Sequence, residues 1–144
     1  MSKSFEEQVT SWARKSEARM LAVAQTAAQD MVAEMQTTRD KGGRMPVDTG
    51  YLINSGFAAV NSPAKGEAKQ TDDKEWLQAN KNAVVLAINK MNLGDTLYFG
   101  WVANYAKYME AKYAFMRAPA QKWGRFVKLA SRRIEQSGSS LRHD

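Results

Sequence analysis

The carboxylates Asp48, Asp72, Asp73, Glu75, Asp95 and Glu110 are the side chains of this chain best suited to acid–base chemistry. Such chemistry needs two carboxyl groups held on one face beside a pocket. Their spacing fixes no two of them in that way, and helix caps and surface charges account for all six. Nucleophilic and metal chemistry have less to draw on. The 144 residues include no cysteine and a single histidine, His143, in a polar terminal segment. That removes a thiol nucleophile, an iron–sulfur cluster and a cysteine zinc site, and it leaves a Ser-His-Asp triad or an HExxH site without a credible imidazole. Gly42-Gly43 lacks the GxxxxGK[ST] context of a phosphate loop, and Ser55-Gly56 has no nucleophile elbow around it. The expectation is a protein that is not an enzyme, with no cofactor and no metal.

Charge is the more informative chemistry. Lys and Arg number 21 against 15 Asp and Glu, a net charge of +6. Residues 1–106 carry twelve of each sign, whereas residues 107–144 carry nine basic and three acidic, so the entire excess lies in the last part of the chain. Lys122, Arg125, Lys128, Arg132 and Arg133 are therefore candidates for contact with DNA or with an acidic partner. A solvated helix face beside a basic tail is the plainer account of the same run. Without a zinc-finger spacing, an RNP motif or a GxxG loop between helices, any contact with nucleic acid is expected to be blind to sequence.

Those residues need elements to hold them. Ser4-Phe5-Glu6-Glu7 reads as a capping box. Phe5, Val9, Trp12, Ser16, Met20, Val23, Ala27, Met31 and Met35 then recur at helical spacing, with no glycine or proline before Gly42-Gly43. A helix of about 32 residues is close to 50 Å long, against a radius of gyration of about 15 Å for a domain of this length. One end should project past the core or lie against another subunit. After a loop at 40–46, Asp48 or Thr49 can cap a short helical turn, and Ser55–Asn61 reads as a strand. Ser62–Thr71 reads as a mobile loop. Acidic residues at 72–75 open a second helix with Trp76, Ala79, Ala83, Ala87 and Met91 on its stripe, Val84 and Ile88 widening it and Gly94 as its cap; Val84-Val85-Leu86 could instead begin a strand, but the Asp start and Gly stop favour helix. Thr96–Val102 is the clearest strand, apolar on both faces, so both should be covered. A short helix over 104–112 precedes a last helix with Pro119 in its first turn and Trp123, Phe126, Val127, Ala130 and Ile134 as its buried stripe. Trp12, Trp76, Trp101 and Trp123 all fall on core stripes, and the eight methionines suit core and subunit contacts.

Two segments resemble a known family. Met45-Pro46-Val47-Asp48-Thr49-Gly50-Tyr51-Leu52-Ile53-Asn54-Ser55 resembles the P-V-D-T-G-x-L-x-x-S signature of the tailed-bacteriophage tail-completion, or neck, proteins. Leu93-Gly94-Asp95-Thr96-Leu97-Tyr98-Phe99 followed by Asn104-Tyr105-Ala106-Lys107-Tyr108-Met109-Glu110 is similar to that family's second signature, a G-D-x-x-Y strand followed by N-x-P-Y-A-x-x-x-E. The match runs from Arg44 to Ile134 in the family's order. Two positions depart from the pattern: Ala103-Asn104 replaces the proline before Tyr-Ala, and Lys112 replaces a glycine.

Asp48, Thr49, Gly50, Leu52, Ser55, Tyr105, Ala106 and Glu110 are the matching residues, and their chemistry suits a structural role. Side-chain oxygens at Asp48 and Thr49 can hold backbone amides, and Glu110 can meet a cation on a neighbouring subunit or cap a nearby turn. The expected fold is α+β and helix-rich, with a long N-terminal helix and a C-terminal helix packed on a small antiparallel sheet. One domain is expected over 1–136, with a flexible basic tail at 137–144. The resemblance implies a virion protein at the head–tail junction, assembled in the host cytoplasm. It would form a homo-oligomeric, hexameric ring that joins the tail to the DNA-filled capsid. Its partners would be copies of itself, neighbouring connector and tail-tube proteins and, non-specifically, DNA in the lumen, with no membrane. Two alternatives stand beside it: a tail-terminator ring capping the tail tube, and a free-standing basic nucleic-acid-binding protein. The opening residues lack the apolar core of a signal peptide, and no run of about 18 apolar residues is present.

Overall fold

The computed structural model describes residues 4–47, 52–62, 74–101, 103 and 106–141. Its elements are α1 (Phe5–Met35), β1 (Gly56–Val60), α2 (Lys74–Lys90), β2 (Leu97–Trp101), α3 (Ala106–Tyr113), α4 (Arg117–Ala120) and α5 (Trp123–Leu141). The architecture is α+β and helix-rich, as the sequence pattern predicts.

The capping box at the start of α1 is formed. The Glu7 amide donates to the Ser4 hydroxyl, and the Ser4 amide donates to the Glu7 carboxylate, each at 3.2 Å. With 31 residues, α1 runs for about 46 Å. Only its second half meets the core, where Ala27, Ala28, Val32 and Met35 are buried. Phe5 and Trp12 remain 82% and 69% exposed. The helix thus projects as its length requires. Trp12, expected to pack in the core, instead lies on the projecting part, because periodicity gives a face but not what covers it.

Beyond α1 the chain reverses tightly. Thr38 and Met45 form a parallel bridge around a single 3-10 turn at Arg39–Lys41. Gly42 takes a left-handed φ of 88°. A Cβ at Gly43 would lie 2.0 Å from the Thr37 carbonyl oxygen, so only glycine fits that approach. A second 3-10 turn, Ile53–Ser55, leads into β1. Leu52 holds its cap position and no side chain caps it; Asp48 and Thr49, the expected caps, lie outside the described residues.

β1 and β2 pair antiparallel, with Gly56 opposite Trp101 and Val60 opposite Leu97. Asn61 ends the ladder at φ 66°, where its amide donates to the Thr96 carbonyl (2.7 Å) and its side-chain oxygen accepts the Thr96 amide (2.9 Å). Two strands alone are marginal in water, and helices supply the cover. Ala28 and Val32 of α1 join Val84 and Ile88 of α2, with Ala58, Leu97 and Phe99 packed against them. Met45, Leu52, Ala103 and Phe115 form a second cluster, with Trp101 and Met109 against it. Trp101 links the two, edge-on to Phe99 at 4.9 Å and to Phe115 at 4.8 Å.

Several expectations are corrected. The segment at 84–86 is helical, as preferred over a strand, and Val84 and Ile88 are the buried residues of α2 among those described, with Met91 buried just past its end; Ala83, expected on the stripe, is exposed, and the side chains of Trp76 and Ala79 lie outside the described residues. The helix stops at Lys90, four residues before Gly94, which makes a turn at φ 89° instead of capping it. β2 is covered on one face only, Tyr98 being 38% exposed, because a two-stranded sheet gives the other face too little to pack on. Pro119 is buried in α4, a separate turn, and the last helix starts at Trp123, itself 41% exposed. The last helix continues through Ser137–Ser140, where order is expected to end, to Leu141. No proline interrupts it there, and one glycine costs a helix only about 1 kcal/mol.

Candidate functional site

The sequence motifs converge on one joint. Ser55 is fully buried. Its hydroxyl donates to the Leu52 carbonyl at 2.7 Å and accepts the amide of Ala103 at 3.2 Å. Leu52 and Ala103 belong to one buried cluster, with Ala106 packed against it. The first motif and the segment that opens the second are therefore held together by a single hydroxyl and a shared apolar core. Asp48, Thr49, Gly50 and Tyr105 lie outside the described residues.

Glu110, near the end of the second motif, has a defined task. Its two carboxylate oxygens accept the amides of Met116 (2.8 Å) and Arg117 (2.9 Å), the free amides at the start of α4. A carboxylate suits that position because it both accepts the hydrogen bonds and opposes the positive end of the helix. Of the two roles expected for Glu110, it takes the cap.

Gln36 and Trp101 complete the joint, and neither is signalled by a motif. The indole N–H of Trp101 donates to Gln36 Oε1 at 2.9 Å, and Gln36 Nε2 donates to the Ile53 carbonyl at 3.1 Å. The end of α1 is thereby tied to the turn before β1 and to β2. At Gly56 an added Cβ would lie 2.9 Å from Gln36 Nε2, so the glutamine side chain would have to shift from this position. A lone glutamine after a helix carries no sequence signal, since its partners are 17 and 65 positions away.

The basic residues of α5 and the turn before it divide into two groups. Lys122 pairs with Glu34 at 3.4 Å and Arg133 pairs with Asp30, so these two, although exposed, also tie α5 and the turn before it to α1. The sequence could not assign them, because their acids lie 88 and 103 positions earlier. Arg125, Lys128 and Arg132 are exposed at spacings of three and four, and among the described residues none has an ion-pair partner. A further group of cations surrounds Tyr113, with Arg39 over its ring at 4.5 Å and Lys112 at 5.3 Å. The Arg44 guanidinium donates to the Tyr113 carbonyl at 3.4 Å.

The remaining described carboxylates do not form an acid–base pair. Asp95 accepts from the Asn61 side chain (3.0 Å) and from the Asn92 amide (2.8 Å). The Asn61 hydrogen bond, followed by that from Asn92, lowers its pKa below the ordinary carboxylate value. Asp48, Asp72 and Asp73 lie outside the described residues, and Glu75 lies in α2 with its side chain outside them. A shallow apolar groove between β1 and α2 is lined by Val60, Ala83, Leu86, Ala87 and Lys90. Among the described residues no group of three or more His, Cys, Asp or Glu could hold a metal ion, and no helix is long and apolar enough to cross a membrane. What these residues build is a set of locks between distant segments of one chain. Comparison with protein-family models, with curated proteins and with solved structures finds no match to this chain.

Proposed function

We propose that the chain is a structural virion subunit of a tailed bacteriophage, forming a ring at the head–tail junction that joins the tail to the DNA-filled capsid. The resemblance of the segments around Asp48–Ser55 and Asp95–Glu110 motivates the reading. The observation that supports its assembly part is exposed apolar side chains on two different helices of one subunit. Val85 and Leu86 are 44% and 56% exposed on α2, and Trp123 and Leu129 are exposed on α5. A ring of identical subunits needs two different patches, each meeting the other on the next copy. Burying such side chains contributes roughly 25 cal/mol per Å² of apolar surface. The mechanism is assembly, with no reaction assigned. Arg125, Lys128 and Arg132 then face DNA in the lumen or an acidic neighbouring ring.

Imaging of particles tests this directly. The reading requires density for this chain between portal and tail tube; density capping the tail tube alone selects the terminator alternative, and its absence from the particle rejects both. The three exposed cations of α5 keep a second reading, a basic nucleic-acid-binding protein, in play. That protein would bind duplex DNA tightly, with affinity falling by about 0.9 log units per log unit of salt for each phosphate neutralised. A ring subunit binds duplex only weakly when unassembled.

A further inference from the structure

Three cations gather about Tyr113 at the end of α3. The Arg39 guanidinium lies over its ring at 4.5 Å and the Lys112 ammonium at 5.3 Å, so the two charges are separated by no more than the sum of those distances. The Arg44 guanidinium donates to the carbonyl of the same tyrosine. All three cations belong to exposed residues. Arg39 and Arg44 are placed by one turn, which the Thr38–Met45 bridge closes and in which the Arg39 amide donates to the Met45 carbonyl at 3.1 Å. Neutral groups hold these cations, and no carboxylate does. Among the described residues neither Asp40, beside Arg39 in the turn, nor Glu110, whose oxygens are taken by the Met116 and Arg117 amides, forms an ion pair with any of them. The C-terminal end of α3 offers only about half a negative charge. Most of the positive charge is therefore left for a ligand.

We propose that this patch receives phosphate groups of the backbone of duplex DNA, as a contact separate from the α5 stripe. One strand of a duplex carries a phosphate about every 3.4 Å along the axis, so a patch of this breadth meets about two or three of them. The guanidinium fork of Arg39 suits two oxygens of one phosphate, and Arg44 keeps donors beyond the one on Tyr113. A face of the ring lies under Arg39, so what the patch presents outward is charge. A protein partner would be anchored by apolar and aromatic side chains, whereas a phosphate backbone is held by cations alone. This contact does not rest on the ring reading. A chain that bound duplex through these residues but entered no particle would end the ring proposal and leave this one standing.

The test uses the full chain and a fluorescently labelled duplex of about 20 base pairs, titrated from about 20 mM salt upward, where weak phosphate contacts are measurable. Arg39→Gln, Arg44→Gln and Lys112→Gln together form the patch variant. The reference variant is Arg14→Gln, Lys15→Gln and Arg19→Gln, which removes the same charge from exposed positions at least about 24 Å of helix before the end of α1. The patch variant is expected to lose at least about tenfold in affinity and up to about 2.7 of the salt slope, the reference variant less than about threefold. Equal losses in the two would mean that net charge alone attracts the duplex and would overturn the proposal, as would an unchanged patch variant. Polyglutamate of matched charge is the second probe. Tighter binding of polyglutamate than of duplex, lost in the patch variant, would assign the patch to an acidic partner and overturn the phosphate contact. Should the patch variant fail to fold, Arg44→Gln with Lys112→Gln, which leaves Arg39 on the ring, gives the same reading with up to about 1.8 of the slope lost.

Discussion

The hydroxyl of Ser55 accepts the backbone amide of Ala103 at 3.2 Å, joining residues 48 positions apart inside a fully buried site. Ser55→Ala leaves that amide unpaired away from water, which costs about 1–3 kcal/mol. The variant should unfold at a lower urea midpoint with an unchanged slope, and its melting temperature should fall by several degrees. Ser55→Thr keeps the hydroxyl but adds a methyl group to a packed core, so it should recover only part of the loss.

Glu110 caps α4 with both carboxylate oxygens. Glu110→Ala removes both acceptors and should destabilise the chain by about 1–2 kcal/mol, in the range of a lost helix cap. Glu110→Gln keeps one acceptor and should fall between that variant and the parent. Denaturant titration of the three proteins checks the order; equal stability of all three would show that the cap is not needed.

Adjacent glycines give opposite expectations. At Gly43 an added Cβ would meet the Thr37 carbonyl at 2.0 Å, so Gly43→Ala must displace the backbone that bridges Thr38 to Met45. Its cost should exceed about 3 kcal/mol. Gly42 has open space around it and only its φ of 88° to satisfy, so Gly42→Ala should cost about 1 kcal/mol. Thermal melts of the two single variants separate steric from conformational strain.

Asp95 gives a pH dependence of known sign. Its pKa is lowered in the folded chain, first by the Asn61 side chain and then by the Asn92 amide, from an ordinary value of 3.8. The stabilising contribution is therefore complete well above 3.8 and is lost as pH falls through the lowered folded-state value. Asp95→Asn should be less stable than the parent at neutral pH, and the gap should close in acid, below about pH 4. Denaturant midpoints measured across that range test it; a gap that widened toward acid would contradict the assignment.

The two groups of cations at the C-terminal helix should behave differently toward a polyanion. Replacing Arg125, Lys128 and Arg132 with Gln should weaken retention on duplex DNA and flatten its salt slope by up to about 0.9 for each phosphate the stripe no longer meets. Replacing Lys122 and Arg133, already paired with Glu34 and Asp30, should change the slope less. It should also cost at most about 1 kcal/mol per exposed pair. If the triple variant also lowers head–tail joining while remaining folded, the α5 stripe faces DNA or an acidic ring; unchanged joining across a range of salt would remove that role.

How much was legible beforehand follows from the range of each interaction. The capping box at Ser4 and Glu7, the length and projection of α1, the strands around Ala58 and Phe99 and the amphipathic α5 depend on residues within a few positions of one another, and the sequence by itself determined them. The order of the two motifs suggested a joint without showing its atoms. Tertiary structure alone decided that Ser55 reaches Ala103, that Gln36 holds Trp101, that Lys122 and Arg133 spend their charge on α1, and that Trp12 stays largely exposed. Each of those outcomes depends on what stands opposite a side chain. Helical and strand periods fix the direction in which a residue points, whereas its partner is set by how distant elements pack, and no local pattern encodes that.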